Sequence, residues 1–397
     1  MKTTEAITYR VKNIRNNIFE VDLKTNQVLL ENSIKGKNVL VIGGAGTIGS
    51  NYIKEMLRFL PSSIIVVDAN ENGLAELVRE LRSSSLLNYN PLFITYPINI
   101  NSDTFNKIFE IYQFDIVANF AAHKHVRSEK DIISIEALLK NNVLGAIKIL
   151  NLCEKYNVKT FFSVSTDKAA NPVNIMGASK ALMEKIILSK KNSLNVKTAR
   201  FANVAFSNGS LLDGFINRIV KHQPLSCPED IRRFFVSPQQ SGQICLLATF
   251  LGESGFVFFP KLDFNSEQYY FKDLAFDFLK ANGFQPYITK SEEEAKSFDF
   301  FNNQNEYPIY LFKSDTSGEK EYEEFYTEDD LYFLEKYNSL GYLIGEEEEM
   351  NLSKIKDDFD SLFCKDGLGK SDILELLVKY VQTFTYKEAG KNLDQKM

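Results

Sequence analysis

Asn38-Val39-Leu40-Val41-Ile42-Gly43-Gly44-Ala45-Gly46-Thr47-Ile48-Gly49 is the stretch on which the fold turns. Residues 39–42 are continuously apolar, the pattern of a strand buried on both faces of a parallel sheet. The glycines follow at once, and residues 50–60 read as a helix. A second apolar run, residues 64–67, ends in Asp68, nineteen residues past Gly49. Buried strand, glycine turn, helix and a following acid together form the context in which such a turn binds a dinucleotide. Gly43 permits the tight turn, Gly46 lets the backbone approach a pyrophosphate, and Gly49 lets the helix close on the sheet. Thr47 and Ile48 belong to the same turn, and the N-terminus of the helix that follows supplies oriented N–H groups to the phosphates. Asp68 accepts hydrogen bonds from an adenosine ribose and repels a 2′-phosphate, so the expected cofactor is NAD rather than NADP.

Outward from this unit the alternation continues. Helical patterns cover residues 71–81, 103–112, 133–156 and 175–189, and apolar strand patterns cover 92–96, 116–120, 160–164 and 196–201. This predicts an α/β, Rossmann-like doubly wound parallel sheet. Right-handed crossovers put all the strand C-termini on one edge, where ligands bind. From residue 206 the regularity breaks into a loop (Ser207-Asn208-Gly209-Ser210), a helix at 215–221 and irregular chain to 235. A helix at 239–251 and a strand at 255–259 follow. The expected organisation is an N-terminal arm (1–36, with Ile14, Ile18 and Phe19 packing on the body) and an NAD-binding domain (37–260). Insertions of a substrate lobe begin near 206–235. A smaller C-terminal substrate-binding lobe (261–345) and a helical extension (346–397) complete the chain. Glu346 to Glu349 reads as a solvated linker. Ser371-Asp372 caps an amphipathic helix whose Ile373, Leu376, Leu377, Tyr380 and Val381 share one face, suited to core packing.

Composition narrows the function class. A formal net charge of −6 over 397 residues argues against a nucleic-acid-binding face. No run approaches the ~18 apolar residues that span a bilayer, Leu246 to Leu251 being the greasiest. The first residues carry no apolar segment of the signal-peptide kind, so a cytoplasmic location is expected. Abundant Lys, Asn, Ile and Phe point to an AT-rich coding genome. Cys153, Cys227, Cys245 and Cys364 show no paired spacing and read as buried thiols in a reducing compartment. His123-Lys124-His125 places two imidazoles close together, but without carboxylate help no metal site is expected.

The second informative stretch is Val164-Ser165-Thr166-Asp167-Lys168-Ala169, followed by Met176-Gly177-Ala178-Ser179-Lys180. It follows a buried strand, so its side chains emerge at the sheet edge where a nicotinamide would lie. A simple dehydrogenase needs one base for the alcohol proton. An adjacent acid and amine suggest loss of water, one group removing a C–H proton and the other protonating the leaving hydroxyl. The plainer alternative is that Asp167 and Lys168 cap the helix beginning at Ile175 or form a surface pair.

The GxxGxxG spacing together with Lys180 resembles the extended short-chain dehydrogenase/reductase family. In that resemblance Asn99 stands where an Asp usually meets the adenine edge, Ala121 and Ala122 line the cofactor, and Asn142 anchors the site. The run STDKAxNPxNxMGAxK is similar to the nucleotide-sugar 4,6-dehydratases acting on UDP-N-acetylglucosamine, in the polysaccharide-biosynthesis branch, over residues 37–260. Residues 121–126, 200–204, 207–210 and 231–234 agree with it. The resemblance implies Asp167 as acid, Lys168 as base at C5 and Lys180 on the nicotinamide ribose. Lys124, Asn142, Asn203 and Ser210 fall on the substrate side. Arg233 meets the diphosphate with its forked donors. Ala202 replaces a usual Gly.

Met176 stands where a related oxidoreductase carries its catalytic Tyr, and a thioether takes no proton. The expectation is therefore that Asp167, relayed through Thr166, acts first as base at O4 and then as acid at O6. Relatives bearing Met here include membrane-bound ones and are associated with retention at C5. The expected activity is an NAD-dependent hydro-lyase reaction on UDP-GlcNAc, giving UDP-4-keto-6-deoxy-GlcNAc. It proceeds by hydride removal at C4, elimination of water across C5–C6 and hydride return to C6. The pieces 259–262, 317–320 and 393–397 resemble soluble dehydratases of bacterial legionaminic-acid, bacillosamine and related amino-sugar pathways, which leaves uridine or guanosine open as the base. A nucleotide-sugar epimerase on the same scaffold and a non-catalytic NAD-binding scaffold protein are the alternatives. A homodimer or higher homo-oligomer through the helices at 133–156 and 175–189 is what the resemblance implies for assembly.

Overall fold

The computed structural model describes residues 17–262, 267–314, 323–345 and 348–386. The expected packing of Ile14, the pieces 317–320 and 393–397 and the start of the acidic run at 346–349 lie outside them. Six strands come in chain order: β1 (Asn38–Ile42), β2 (Ser63–Asp68), β3 (Leu92–Pro97), β4 (Ile116–Asn119), β5 (Thr160–Val164) and β6 (Asn195–Ala199). They lie in the order β3-β2-β1-β4-β5-β6 and are joined by Phe256–Pro260, all parallel. The strand order reverses between β1 and β4, which creates the crevice where doubly wound sheets bind their ligands.

Each face of the sheet is covered because each central strand is apolar on both sides. On one face pack the helices Thr47–Leu57, Glu71–Arg82 and Pro238–Phe250 and the short helices Phe19–Thr25 and Gln27–Ile34 of the arm, whose Phe19, Leu23, Leu30 and Ile34 are buried. The arm is also tied down by Asp22, whose carboxylate accepts N–H donors from Asn338 (3.0 Å) and Ser339 (2.7 Å). On the other face pack Thr104–Ile111, the helix running from Ile132 to Lys155, and Ile175–Leu188.

Two sequence expectations change. Residues 261–345 do not all form the lobe: Leu340–Ile344 pairs antiparallel with Phe256–Pro260, and Tyr332–Phe333 pairs with it in turn, so the chain returns to finish the main sheet. The apolar run Leu340-Gly341-Tyr342-Leu343-Ile344 is better satisfied beside an open sheet edge than in a small lobe. The lobe itself is a three-stranded parallel sheet (Gln285–Thr289, Glu306–Phe312, Leu225–Pro228) with helices Leu211–Val220 and Phe271–Ala281. Phe215, Leu225, Leu274, Phe278 and Ile309 form its separate core. The C-terminal helix begins earlier than its Ser371-Asp372 signal. It spans Lys370–Tyr380, and the Asp372 carboxylate accepts the N–H of Gly369 at 2.9 Å.

Helices Leu352–Phe363 and Lys370–Tyr380 pack on the second face, with Ile355, Phe359, Ile373 and Leu377 in the same apolar cluster as Ile175–Leu188. They leave that helix buried on nearly every side within one chain. Cys153, Cys227 and Cys245 are buried thiols; Cys364, expected with them, is exposed where the helix Leu352–Phe363 ends on its polar side.

Candidate active site

The glycine turn leaves β1 between β2 and β4: Gly43 N–H donates to Val67 and Phe120 N–H donates to Ile42. Gly43 has φ +74°, and a Cβ there would lie 2.5 Å from the backbone of Ala121. A Cβ on Gly49 would lie 2.4 Å from the carbonyl oxygen of Gly43. Both positions are closed to any other residue, for backbone reasons. Gly46 caps the helix Thr47–Leu57, whose first N–H groups point at the crevice. Asp68 sits at the tip of β2. Its carboxylate accepts from the Ala45 N–H (2.9 Å) and the Asn70 N–H (2.9 Å), which aims it along the turn with lone pairs to spare for a ribose. Asn99 follows β3, is exposed, and accepts the Asn101 N–H at 2.9 Å. Ala121 and Ala122 follow β4, half-buried beside the glycine turn. Ile48 is half-buried, and the Thr47 hydroxyl accepts the Asn208 N–H (3.0 Å), joining this edge to the loop that opens the lobe.

Across the crevice, β5 delivers the reactive residues. Thr166 Oγ1 donates to Asp167 Oδ1 at 2.7 Å, and Lys168 Nζ lies 3.2 Å from both Asp167 oxygens. The helix-cap alternative for Asp167 is excluded, because Asn174 Oδ1 caps Ile175–Leu188 by accepting the Gly177 N–H at 2.7 Å. Lys180, one turn into that helix, donates to the Val164 carbonyl at 2.8 Å. Burial pulls its ammonium down to about 8, with Glu184 opposing. Ser165 carries a buried hydroxyl without a hydrogen-bond partner among the described residues. A polar atom left so at the end of β5 is what a bound polar ligand satisfies. Oriented helix N–H groups, Asp68 and this hydroxyl stand at the C-terminal ends of β1, β2 and β5, with Lys180 bonded to Val164 beside them, and fit a dinucleotide.

Met176 is 2% exposed and belongs to the apolar cluster under the C-terminal helices. Its side chain packs there, and its backbone N–H donates to Glu129 Oε1 at 2.8 Å. Asn142, expected on the substrate side, is 2% exposed. Its amide spans the His123 backbone (2.9 and 3.0 Å) and the Ser179 hydroxyl (3.0 Å), so it holds two site segments together rather than facing substrate. It sits in a π-turn, Lys140–Leu144, the local widening that turns it toward the loop.

On the substrate side Lys124 Nζ donates to the Asn208 carbonyl at 3.2 Å, and Ser210 caps Leu211–Val220 through its hydroxyl. Arg233 is buried and donates to the Arg232 carbonyl at 2.8 Å. Asn203 Nδ2 donates to Glu323 Oε1 at 2.6 Å. Glu323 is the site residue that sequence reading missed. It lies three residues past the 317–320 piece, but nothing local shows that the chain there folds back onto Asn203. Burial pushes its carboxyl up to about 8; Asp167 adds to the rise, while Arg233 and Lys168 oppose it. Arg200 was read only as part of a matching run. It lies on the far side of the site, paired with Glu184 (2.8 Å) and donating to the Phe325 carbonyl (2.8 Å).

Residues 39–342 match the family described as polysaccharide biosynthesis protein. The chain belongs to that family, within the extended short-chain dehydrogenases. An uncharacterized membrane protein of Methanocaldococcus jannaschii is 31% identical over 78% of this chain and 86% of that protein. A UDP-N-acetylglucosamine 4,6-dehydratase (inverting) of Campylobacter jejuni is 30% identical over 57% of this chain and 67% of that one. A UDP-glucose 4-epimerase of Rickettsia canadensis is 31% identical over 57% and 66%. Among solved structures, a Streptomyces venezuelae dTDP-glucose 4,6-dehydratase with NAD bound superposes with a TM-score of 0.54 at 17% identity, covering 87% of this chain and 97% of that one. Among the described residues no helix is long and apolar enough to cross a membrane.

Proposed function

We propose that this family member is an NAD-dependent 4,6-dehydratase of UDP-N-acetylglucosamine, retaining configuration at C5. The observation that carries the reading is the Asp167 carboxylate at the sheet edge, held at once by the Thr166 hydroxyl and the Lys168 ammonium. An epimerase moves hydrogen at C4 alone and needs no such pair. Bound NAD supplies the reversible two-electron oxidation at C4, the hydrogen taken there being returned at C6. Gly43, Gly46, Thr47, Ile48, Gly49, Asp68, Asn99, Ala121, Ala122 and Lys180 would hold it.

The chain's residues handle the protons. Asp167, through Thr166, takes the proton of the C4 hydroxyl. Lys168, as the free amine, removes the proton at C5. Asp167 returns its proton to O6, which leaves as water, and Lys168 gives the proton it took back to the same face of C5 as hydrogen is restored at C6. Arg233 and Lys124 hold the diphosphate end, and Asn203 and Ser210 lie on the sugar side.

Conversion of Asp167 to Asn keeps the size and removes the acid. Turnover should fall by about 10²–10⁴-fold while NAD binding persists, with the product followed as loss of one water by mass. Substantial dehydration by D167N would sink the assignment. A product of unchanged mass would favour the epimerase reading, which the Rickettsia relative supports. Running the assay with GDP-GlcNAc tests the choice of base.

A further inference from the structure

Glu323 reaches the site from the far end of the lobe, and the proton transfers above leave it without a task. It is 1% exposed. Both of its oxygens accept N–H donors: Oε1 from Asn203 Nδ2 at 2.6 Å, Oε2 from the Phe234 backbone at 2.7 Å. Asn203 N–H in turn donates to the Phe234 carbonyl at 3.1 Å, next to the short ladder of Asn203–Val204 with Phe235–Val236. Two residues on, the Phe325 carbonyl accepts from Arg200, which is paired with Glu184 on the helix that carries Lys180. One short segment therefore latches the exit of β6, the residue beside Arg233 and the cofactor-side helix. The charged groups facing Glu323 are Asp167, Lys168 and Arg233.

We propose that Glu323 is a positioning residue of this site: its two oxygens fix the Asn203 amide and the Phe234 peptide, and so set Asn203 against the Asp167–Lys168 pair. The substrate in this proposal is taken from the dehydratase reading; the geometry stands without it. A carboxylate alone satisfies both donors, since the amide of a Gln presents its own N–H to one of them.

The test uses the purified full chain as wild type, E323Q, E323A, N203A and the double variant E323A/N203A. With UDP-GlcNAc at about pH 9, where Glu323 is ionised, kcat for loss of water should fall about tenfold or more in E323Q, while the Kd for UDP by calorimetry stays within about threefold. The double variant should be about as impaired as N203A alone. A wild-type kcat in E323Q, or losses that multiply in the double variant, overturns the proposal. Melting temperatures keep it decidable without turnover. The buried carboxyl has its proton affinity raised above that of the unfolded chain, so its cost is absent at acid pH, grows from about pH 5 and is complete above about pH 8. Wild type should therefore lose stability relative to E323Q on going from about pH 6 to about pH 9, and the E323A and N203A losses should again not add. A pH-independent difference with additive losses overturns the role. A wild type that leaves UDP-GlcNAc unchanged counts against the substrate, and the melting cycle then decides Glu323 on its own.

Discussion

Lys180 shows how one residue serves two scales. Its ammonium is spent on the Val164 carbonyl at 2.8 Å, and burial pulls it down to about 8. A buried base whose folded value lies below its unfolded one of 10.5 costs stability when charged. That cost is full below about pH 8 and is relieved as pH rises toward about 10.5. Wild type should therefore gain melting temperature relative to Lys180→Met between about pH 8 and pH 10; a constant offset would mean that the amine is not buried as described. The sequence marked Thr166, Asp167, Lys168 and Lys180 because they follow a buried strand directly and sit at short spacing, where local geometry alone brings them to the edge. Asn142 and Met176, placed at the site by the family resemblance, turn inward, one at a π-turn, the other among apolar neighbours. Which way a helical residue faces depends on what is packed around the helix.

At the scale of elements, the turn from β1 into Thr47–Leu57 has almost no freedom. Gly49→Ala puts a methyl 2.4 Å from the Gly43 carbonyl oxygen, and backbone has to move. We expect about 1–3 kcal/mol lost in denaturant unfolding. NAD retained through purification should also drop clearly, read from the absorbance of the released cofactor. An alanine variant with full cofactor content would show that the helix approaches the sheet less closely. This element was legible because strand, turn and helix are consecutive and each residue's requirement is local. The lobe was less so: its parallel strands at 225, 285 and 306 come from distant parts of the chain, and no periodicity says which run pairs with which.

For the whole molecule, the C-terminal helices matter most. The helix Lys370–Tyr380, with Ile373 and Leu377 buried, packs on the helix that carries Lys180, Ile355 and Phe359 join the same apolar cluster, and the Thr385 N–H donates to the Pro172 carbonyl in the loop after Asp167. Of the two stretches through which assembly is expected, Ile175–Leu188 is covered within the chain, whereas Ile133 of the other is exposed. Ending the chain at residue 347 removes that cover. The truncated protein should melt lower and self-associate in light scattering, with weaker turnover. A stable monomer of full activity would show the helices to be an appendage.

By itself the sequence determined the doubly wound sheet, the dinucleotide turn and the acid–amine pair, because buried strands, glycine turns and caps are each written in a dozen consecutive residues. Only the tertiary structure decided that 340–344 completes the sheet, that the C-terminal helices bury the Lys180 helix, and that Glu323 holds Asn203 across 120 residues of chain. Such contacts depend on where the chain returns in space, and that is settled by the packing of all the elements together.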